Sequence, residues 1–352
     1  MSPTLADVAS SPRLPDALVD ALSRTLVRPN WLALGAIAVV YPFLPPLPPA
    51  VEYAPFLLSV VLFGLPHGAV DHLVPGRLRG GTTVRTLAAV GVVYAVLGGA
   101  YAVAWFLAPV ASLVGFILLT WLHWGQGDVY AVLAFLDADH LPTRIERALA
   151  LVVRGGLPMA VPLVSHPVEY RRVATAIVSL FDPGAAAALA PYFAPGTRTA
   201  VGAAMAAATL GSWLLGAWRV RGGATRGPWL ADVGEVALLW AFFWLVPPVL
   251  AIGLYFPLWH STRHIARLVT VDDTAAAALA DGDARAALGR FARDAAPLTV
   301  AALAVFGGLA VVVPGRLAGW AALLALYLVG IAVLTLPHVA IVTWMDVVQD
   351  VW

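Results

Sequence analysis

Apolar residues recur along this 352-residue chain in long runs, each close to the roughly 20 residues that an α-helix needs to cross a bilayer. Runs lie at roughly 31–48, 54–74, 84–107, 109–132, 146–165, 199–218, 231–247, 249–268, 297–313 and 318–344. Hydrophobic residues make up 61% of the chain and charged ones 12%, with a mean hydropathy of +0.86. A soluble domain carries about twice that charged share, so a water-soluble core is excluded. The predicted fold class is all-α, a polytopic transmembrane helix bundle of eight to ten spans. Only Pro247-Pro248 separates the seventh and eighth runs, so these could be one broken helix or two spans.

Arginine placement favours ten spans, because cytoplasmic loops are enriched in positive charge. With the N-terminus inside, inner segments gather Arg13, Arg24 and Arg28, then Arg77, Arg79 and Arg85, then Arg144 and Arg147, then Arg219, Arg221 and Arg226, and finally Arg263, Arg267, Arg285, Arg290 and Arg293. Only Arg171, Arg172, Arg198 and Arg316 fall outside. Residues 1–30 read as a cytoplasmic lead-in without the apolar core and cleavage site of a signal peptide. Residues 31–345 read as one transmembrane domain and 346–352 as a short tail. Two loops are sizeable. Residues 166–198, with four prolines, are expected to form short interfacial pieces, and Thr274 to Arg293 is expected to form one solvated amphipathic helix. A formal net charge of +1 and the absence of a basic stretch exclude a nucleic-acid partner.

The chain has no cysteine and eight histidines, so thiolate ligands and iron–sulfur clusters are excluded and any metal must be held by nitrogen and oxygen. Six histidines lie inside or at the rim of apolar runs, where an ionisable side chain is expensive and marks a candidate site. The sharpest signal is Trp259-His260-Ser261-Thr262-Arg263-His264. Residues i and i+4 of a helix share one face, so both imidazoles project together as half of a metal site suited to iron, zinc or copper. A zinc protease is excluded, since Thr262 and Arg263 leave no glutamate base between the histidines. The bland reading places His264 among lipid headgroups beside Arg263 and Arg267.

Pro66-His67-Gly68-Ala69-Val70-Asp71-His72 offers two more imidazoles five residues apart, too far round a regular helix to share an ion easily. One would be a ligand and the other structural, and Asp71 could orient an imidazole from behind. His123, between Trp121 and Trp124, is either a ligand or an aromatic-belt histidine. His140 and His166 are expected to be surface residues. Asp71, Asp128 and Glu235 lie near the ends of the expected spans, which argues against a proton-coupled transporter.

Four stretches together resemble the Brp/Blh family of membrane-bound β-carotene 15,15′-dioxygenases: Gly64 to His72, His123-Trp124-Gly125-Gln126-Gly127-Asp128, Tyr255-Phe256-Pro257-Leu258-Trp259-His260-Ser261-Thr262-Arg263-His264, and Leu336-Pro337-His338. The resemblance runs over about residues 50–345. It implies ferrous iron held by His67, His123, His260 and His264, with Asp71, His72, Trp124, Asp128, Tyr255, Phe256, Trp259 and His338 as supporting or substrate-lining candidates. It further implies β-carotene and O2 as substrates, all-trans-retinal as product, a microbial rhodopsin as its destination, and a cytoplasmic-membrane location. The rival readings are a retinal or carotenoid carrier, and a two-iron histidine-box lipid hydroxylase or desaturase. The latter would need H-x-x-H-H clusters that the sequence lacks.

Overall fold

The computed structural model describes residues 13–315 and 317–352, leaving aside the side chains of Val60 and Val61. The first 12 residues of the expected lead-in, and Arg316, lie outside the described residues. Fourteen helices follow one another, and no strand occurs among the described residues. They are α1 (Asp16–Phe43), α2 (Pro49–Ser59, prolonged by a π-helical turn Val60–Gly64), α3 (Val74–Arg79), α4 (Val84–Leu107), α5 (Pro109–Phe135), α6 (Arg144–Ser165) and α7 (Pro167–Ser179). After a 3₁₀ segment Gly184–Phe193 come α8 (Pro195–Arg221), α9 (Arg226–Leu245), α10 (Pro248–Tyr255), a π-helical segment Phe256–Ser261, α11 (Thr262–Thr270), α12 (Asp273–Ala280), α13 (Ala284–Val312) and α14 (Gly319–Val348).

The helix starts are written in local chemistry. Proline opens α5, α7, α8 and α10, where its missing N–H costs nothing and its fixed φ suits the first turn. Thr83 with Thr86, and Thr143 with Glu146, close capping boxes at α4 and α6. Val246 and Pro247 are extended, so α9 and α10 are two helices and not one kinked rod.

Among the described residues, eight helices are long and apolar enough to cross a membrane: α1, α2 with its extension, α4, α6, α8, α9, α13 and α14. The two other expected spans, 109–132 and 249–268, are helical as well, as α5 and as the broken run from α10 through α11. Both reach the interior of the bundle. Every residue of α5 from His123 to Phe135 is buried, and so is all of α11 except Thr262.

Close approach of α5 and α6 requires glycine on both sides. A Cβ on Gly155 would stand 2.0 Å from the Trp121 carbonyl oxygen, and one on Gly125 would stand 2.5 Å from that of Leu151. Small residues at such crossings let helix backbones touch inside a membrane.

Two expectations about the loops are corrected. The segment Thr274 to Arg293 is not one helix: it breaks at Asp281–Asp283, where Gly282 takes φ +86° and Asp283 caps α13. The run 54–74 leaves helical geometry after Gly64, and residues 65–73 proceed as successive turns. Pro66 has no N–H to donate, and bonds from Ala69 to Pro66 and from Asp71 to Gly68 (3.1 and 3.3 Å) replace the i−4 ladder. Residues 166–198 do form short pieces, α7 and the 3₁₀ segment. At the other end, Val351 is buried, and Arg147 donates to the carbonyls of Asp350 and Val351 at 3.2 and 2.9 Å.

Gly155→Leu is expected to cost on the order of 3 kcal/mol through overpacking of the α5–α6 crossing. Gly211→Leu on α8, with nothing within 4 Å of its Cβ, should be near neutral. Thermal unfolding of both variants in detergent, followed by size-exclusion recovery, checks the contrast.

Candidate metal centre

Five buried histidines converge in the middle of the bundle. The turns after α2 supply His67, α5 supplies His123, the π segment supplies His260, α11 supplies His264 and α14 supplies His338. Ring centroids stand 4.6 Å apart for His123–His260, 4.7 Å for His123–His338, and 5.0 Å for both His67–His338 and His264–His338. His67 lies 5.5 Å from His260 and 5.6 Å from His264. The π-helical segment falls on the sequence Phe256-Pro257-Leu258-Trp259-His260-Ser261, and single π turns of this kind recur at functional sites.

Two of the rings are fixed from behind. His67 Nδ1 donates to the carbonyl of Gly64, and His338 Nδ1 donates to Asp71 Oδ2 at 2.7 Å. An oxygen acceptor requires the proton on Nδ1, which leaves Nε2 of each ring with a free lone pair. Asp71 is itself held by Tyr94, whose hydroxyl donates to the same oxygen at 2.7 Å. Glycines give the rings room: a Cβ on Gly68 would sit 3.3 Å from His338 Nδ1, and one on Gly127 would sit 3.3 Å from His260 Cε1.

The donor set fits a metal ion. The Nε2 atoms of His123 and His260 stand 3.0 Å apart, the separation of two nitrogens each about 2.1 Å from one ion at roughly a right angle. Buried ring nitrogens without a protein partner include His123 Nδ1, His260 Nδ1, both of His264 and His338 Nε2. Buried polar atoms seldom go unpaired, and here they cluster. Facing atoms of His67, His123 and His338, and of Asp71, His264 and His338, lie within 4.8 Å of one another.

The supporting candidates divide by what they touch. Phe256 stacks on His260 at 6.0 Å and meets His67 edge-on at 5.4 Å, and Trp124 lies 5.6 Å from His260. Tyr255 packs behind Trp124. His72 is half-buried, bonded to the Ala69 carbonyl, and lines a cavity beside the cluster. Trp259 faces away from the histidines and donates to both oxygens of Asp128 at 3.1 and 3.2 Å.

Asp128 belongs to a buried charge cluster that the sequence did not announce. Arg154 on α6 binds Asp128 (3.1 Å), Glu235 (2.9 Å) and Asp232. Arg263 binds Glu235 and Asp128 while its guanidinium lies 3.9 Å over the Trp259 ring. Trp31 of α1 donates to Glu235 at 2.7 Å. His140 is corrected here: it is buried and bonds Asp232 at 2.9 Å. His166 is also not a free surface group, since it is half-buried and its Nδ1 lies 2.8 Å from the Ser165 hydroxyl. The proton-relay reading fares no better: Asp128 and Glu235 are bound by guanidiniums, and Asp71 by the His338 ring and the Tyr94 hydroxyl.

An apolar cavity of about 620 Å³ opens beside the cluster, bordered by His67, His72, His123 and His338, by the hydroxyls of Thr120 and Thr335, and otherwise mainly by apolar side chains. A hydrophobic chamber ending on a patch of imidazole nitrogens can hold a hydrocarbon against a metal.

Residues 58–346 match the family model described as Beta-carotene 15,15'-dioxygenase. The chain belongs to that family. All five cluster histidines fall inside the matched residues. A Halobacterium salinarum protein named "Probable beta-carotene 15,15'-dioxygenase Blh" is 49% identical over 98% of this chain and 100% of its own length. "Probable beta-carotene 15,15'-dioxygenase Brp" from the same species is 36% identical over 96% of each chain. "Beta-carotene 15,15'-dioxygenase" of an uncultured marine bacterium is 31% identical over 24% of this chain and 31% of its own. No solved structure matches.

Asp71→Asn is expected to weaken metal affinity about ten- to a hundred-fold with folding intact, as loss of a carboxylate behind a ligand histidine does; metal titration of the stripped protein reads this. His140→Ala, which removes the partner of Asp232 Oδ2 while Arg154 keeps Oδ1, should instead lower thermal stability by about 1–3 kcal/mol without changing metal affinity.

Proposed function

We propose that this protein is an iron-dependent β-carotene 15,15′-dioxygenase, which cleaves the central double bond of the carotenoid with O2 to give two molecules of all-trans-retinal. The observation that carries the proposal is the meeting of an apolar cavity with a buried cluster of histidines whose ring nitrogens lack protein partners. Family membership supports the same reaction, since the relatives are named as β-carotene 15,15′-dioxygenases.

The ligands proposed are His67, His123, His260 and His264, joined by His338. The last is included because its ring stands as close to three of the four as they stand to one another. Imidazole suits iron, and an all-nitrogen set adds no charge to an apolar cavity. Ferrous iron, when bound, supplies the one-electron chemistry that lets triplet dioxygen react with a closed-shell polyene. The reaction is balanced without a further reductant: one C=C bond and the O=O bond are exchanged for two C=O bonds. The chain's own residues bind the hydrocarbon by burial, hold it beside Phe256 and Trp124, and keep water away from the cluster. Asp71 and Tyr94 hold the His338 ring, while Gly64 holds that of His67.

Such an enzyme draws its substrate from the bilayer, and its product is a chromophore for a microbial rhodopsin. We propose the cytoplasmic membrane as its location with the N-terminus inside, an orientation that the arginine distribution supports.

In a β-carotene-producing bacterium, the wild-type chain should bleach the orange colour and yield retinal. His260→Ala or His264→Ala should remove retinal almost completely at unchanged membrane protein level. Near wild-type conversion by His260→Ala would refute the metal-site reading. A carrier would instead leave carotenoid intact and show graded losses of affinity.

The purified active protein should contain iron. A ferrous chelator should stop turnover, iron should restore it, and zinc should not, because zinc has no redox chemistry. Full activity with zinc alone would refute the oxidative mechanism.

A further inference from the structure

The cavity is not symmetrical about the histidines. On α14, Tyr327, Ile331, Thr335 and His338 line it in succession, and on α5 Leu113, Phe116, Thr120 and His123 do the same. At 1.5 Å per residue, each stripe runs about 15–17 Å from the cluster along the helix axis. Its far end is shut. Leu113, Ala174 and Ile177 pack into one buried apolar cluster with Trp105 and Leu309, and Leu324 and Tyr327 pack into another with Tyr53 and Val249.

A second side is open. The exposed residues of the lining are Leu87 and Gly91 on α4 and Leu298, Ala301 and Val305 on α13. Both helices carry long apolar windows that are only 11% buried within the protein, so in a bilayer these positions face lipid. The level of the rim can be read from contacts. A Cβ on Gly98 would lie 3.3 Å from the Val333 carbonyl, beside the closed arm. Four residues earlier, Tyr94 is tied through Asp71 to His338. Gly91 and Leu87 continue in the same direction, about 5 and 10 Å beyond Tyr94. On α13, Phe306 packs on Tyr327 at 5.9 Å, so Val305 and Ala301 border the arm itself and Leu298 lies nearer the cluster. The α4 part of the lipid-facing rim lies beyond the cluster from the arm's shut end.

We infer that the closed arm is a ruler that selects the bond to be cleaved. A polyene passes from the lipid between α4 and α13, its leading end stops against the wall at Leu113, Ala174 and Tyr327, and the double bond cleaved is the one that this depth leaves beside the histidines. This rests on the dioxygenase reading and adds what fixes its regiochemistry: distance from one end, not recognition of the molecule's centre. A symmetrical carotenoid is then cut centrally because half of it fills the arm.

The experiment gives the full-length wild-type protein two substrates: β-carotene, and a polyene that keeps one intact ring end but is shortened at the other. The ruler yields retinal from both, with a correspondingly shorter aldehyde as second product from the truncated chain. Cleavage of the truncated polyene at its own midpoint would overturn the ruler while leaving the dioxygenase reading intact. Absence of any aldehyde from β-carotene would overturn the dioxygenase reading and the ruler with it. Two variants extend the test. Ala174→Phe shortens the arm and should give unequal aldehydes from β-carotene, so retinal alone from the folded variant would count against the ruler. Gly91→Trp narrows the rim and should slow turnover severalfold with product identity and iron content unchanged. Unchanged turnover in this variant would place the access route elsewhere and overturn that part of the inference.

Discussion

Two guanidiniums and three carboxylates held out of water are the constraint around which this bundle is arranged. Asp128 follows His123 by five residues on α5, while Trp259 and Arg263 immediately precede His260 and His264. The charge cluster and the histidine cluster are therefore two sides of the same pair of elements. Asp128 receives the Trp259 indole and both guanidiniums, which fixes how far α5 and the π segment can slide past each other. Removing one member of such a buried set leaves an uncompensated charge, at a cost of about 3–5 kcal/mol. Replacing the whole set by apolar groups would cost far less, so its value here is register more than net stability.

The imidazoles show the complementary solution to burial. Neutral rings carry lone pairs into an apolar chamber without the desolvation cost of a carboxylate, and two of them, His67 and His338, are aimed by an ordinary backbone or side-chain acceptor. Gly68 and Gly127 supply clearance where any side chain would push a ring. The glycines beside the histidines in the sequence are thus part of the site's geometry and not loose joints.

Much of this was legible beforehand, and the reasons for the rest are specific. Apolar runs and proline positions marked the helices, because those signals are local. The i, i+4 spacing of His260 and His264 predicted a shared face, and both rings do point into one cluster. His338 carried no local signature beyond Pro337-His338, since its partner Asp71 is 267 residues away in sequence. Arg154 sits mid-helix in an apolar run and gave no hint of Asp232 and Glu235, which lie on another helix. His140 looked like a loop residue for the same reason. Pair contacts between distant segments leave no periodicity to read. The expected geometry of His67 and His72 assumed a regular helix, but Pro66 unravels it, and His67 reaches the cluster from a turn.

The buried charges also bear on how the chain enters the membrane. A lone arginine or aspartate at the centre of an inserting helix costs about 2.5–3.5 kcal/mol. Asp128 and Arg154 are on consecutive helices that cross at Gly125 and Gly155, so they can leave the insertion machinery as a neutralised hairpin. Asp232 and Glu235 emerge later on α9, with Arg154 already waiting, and Arg263 completes the set only with α11. Synthesis order and charge order coincide, so both carboxylates of α9 follow in the chain an arginine that binds them.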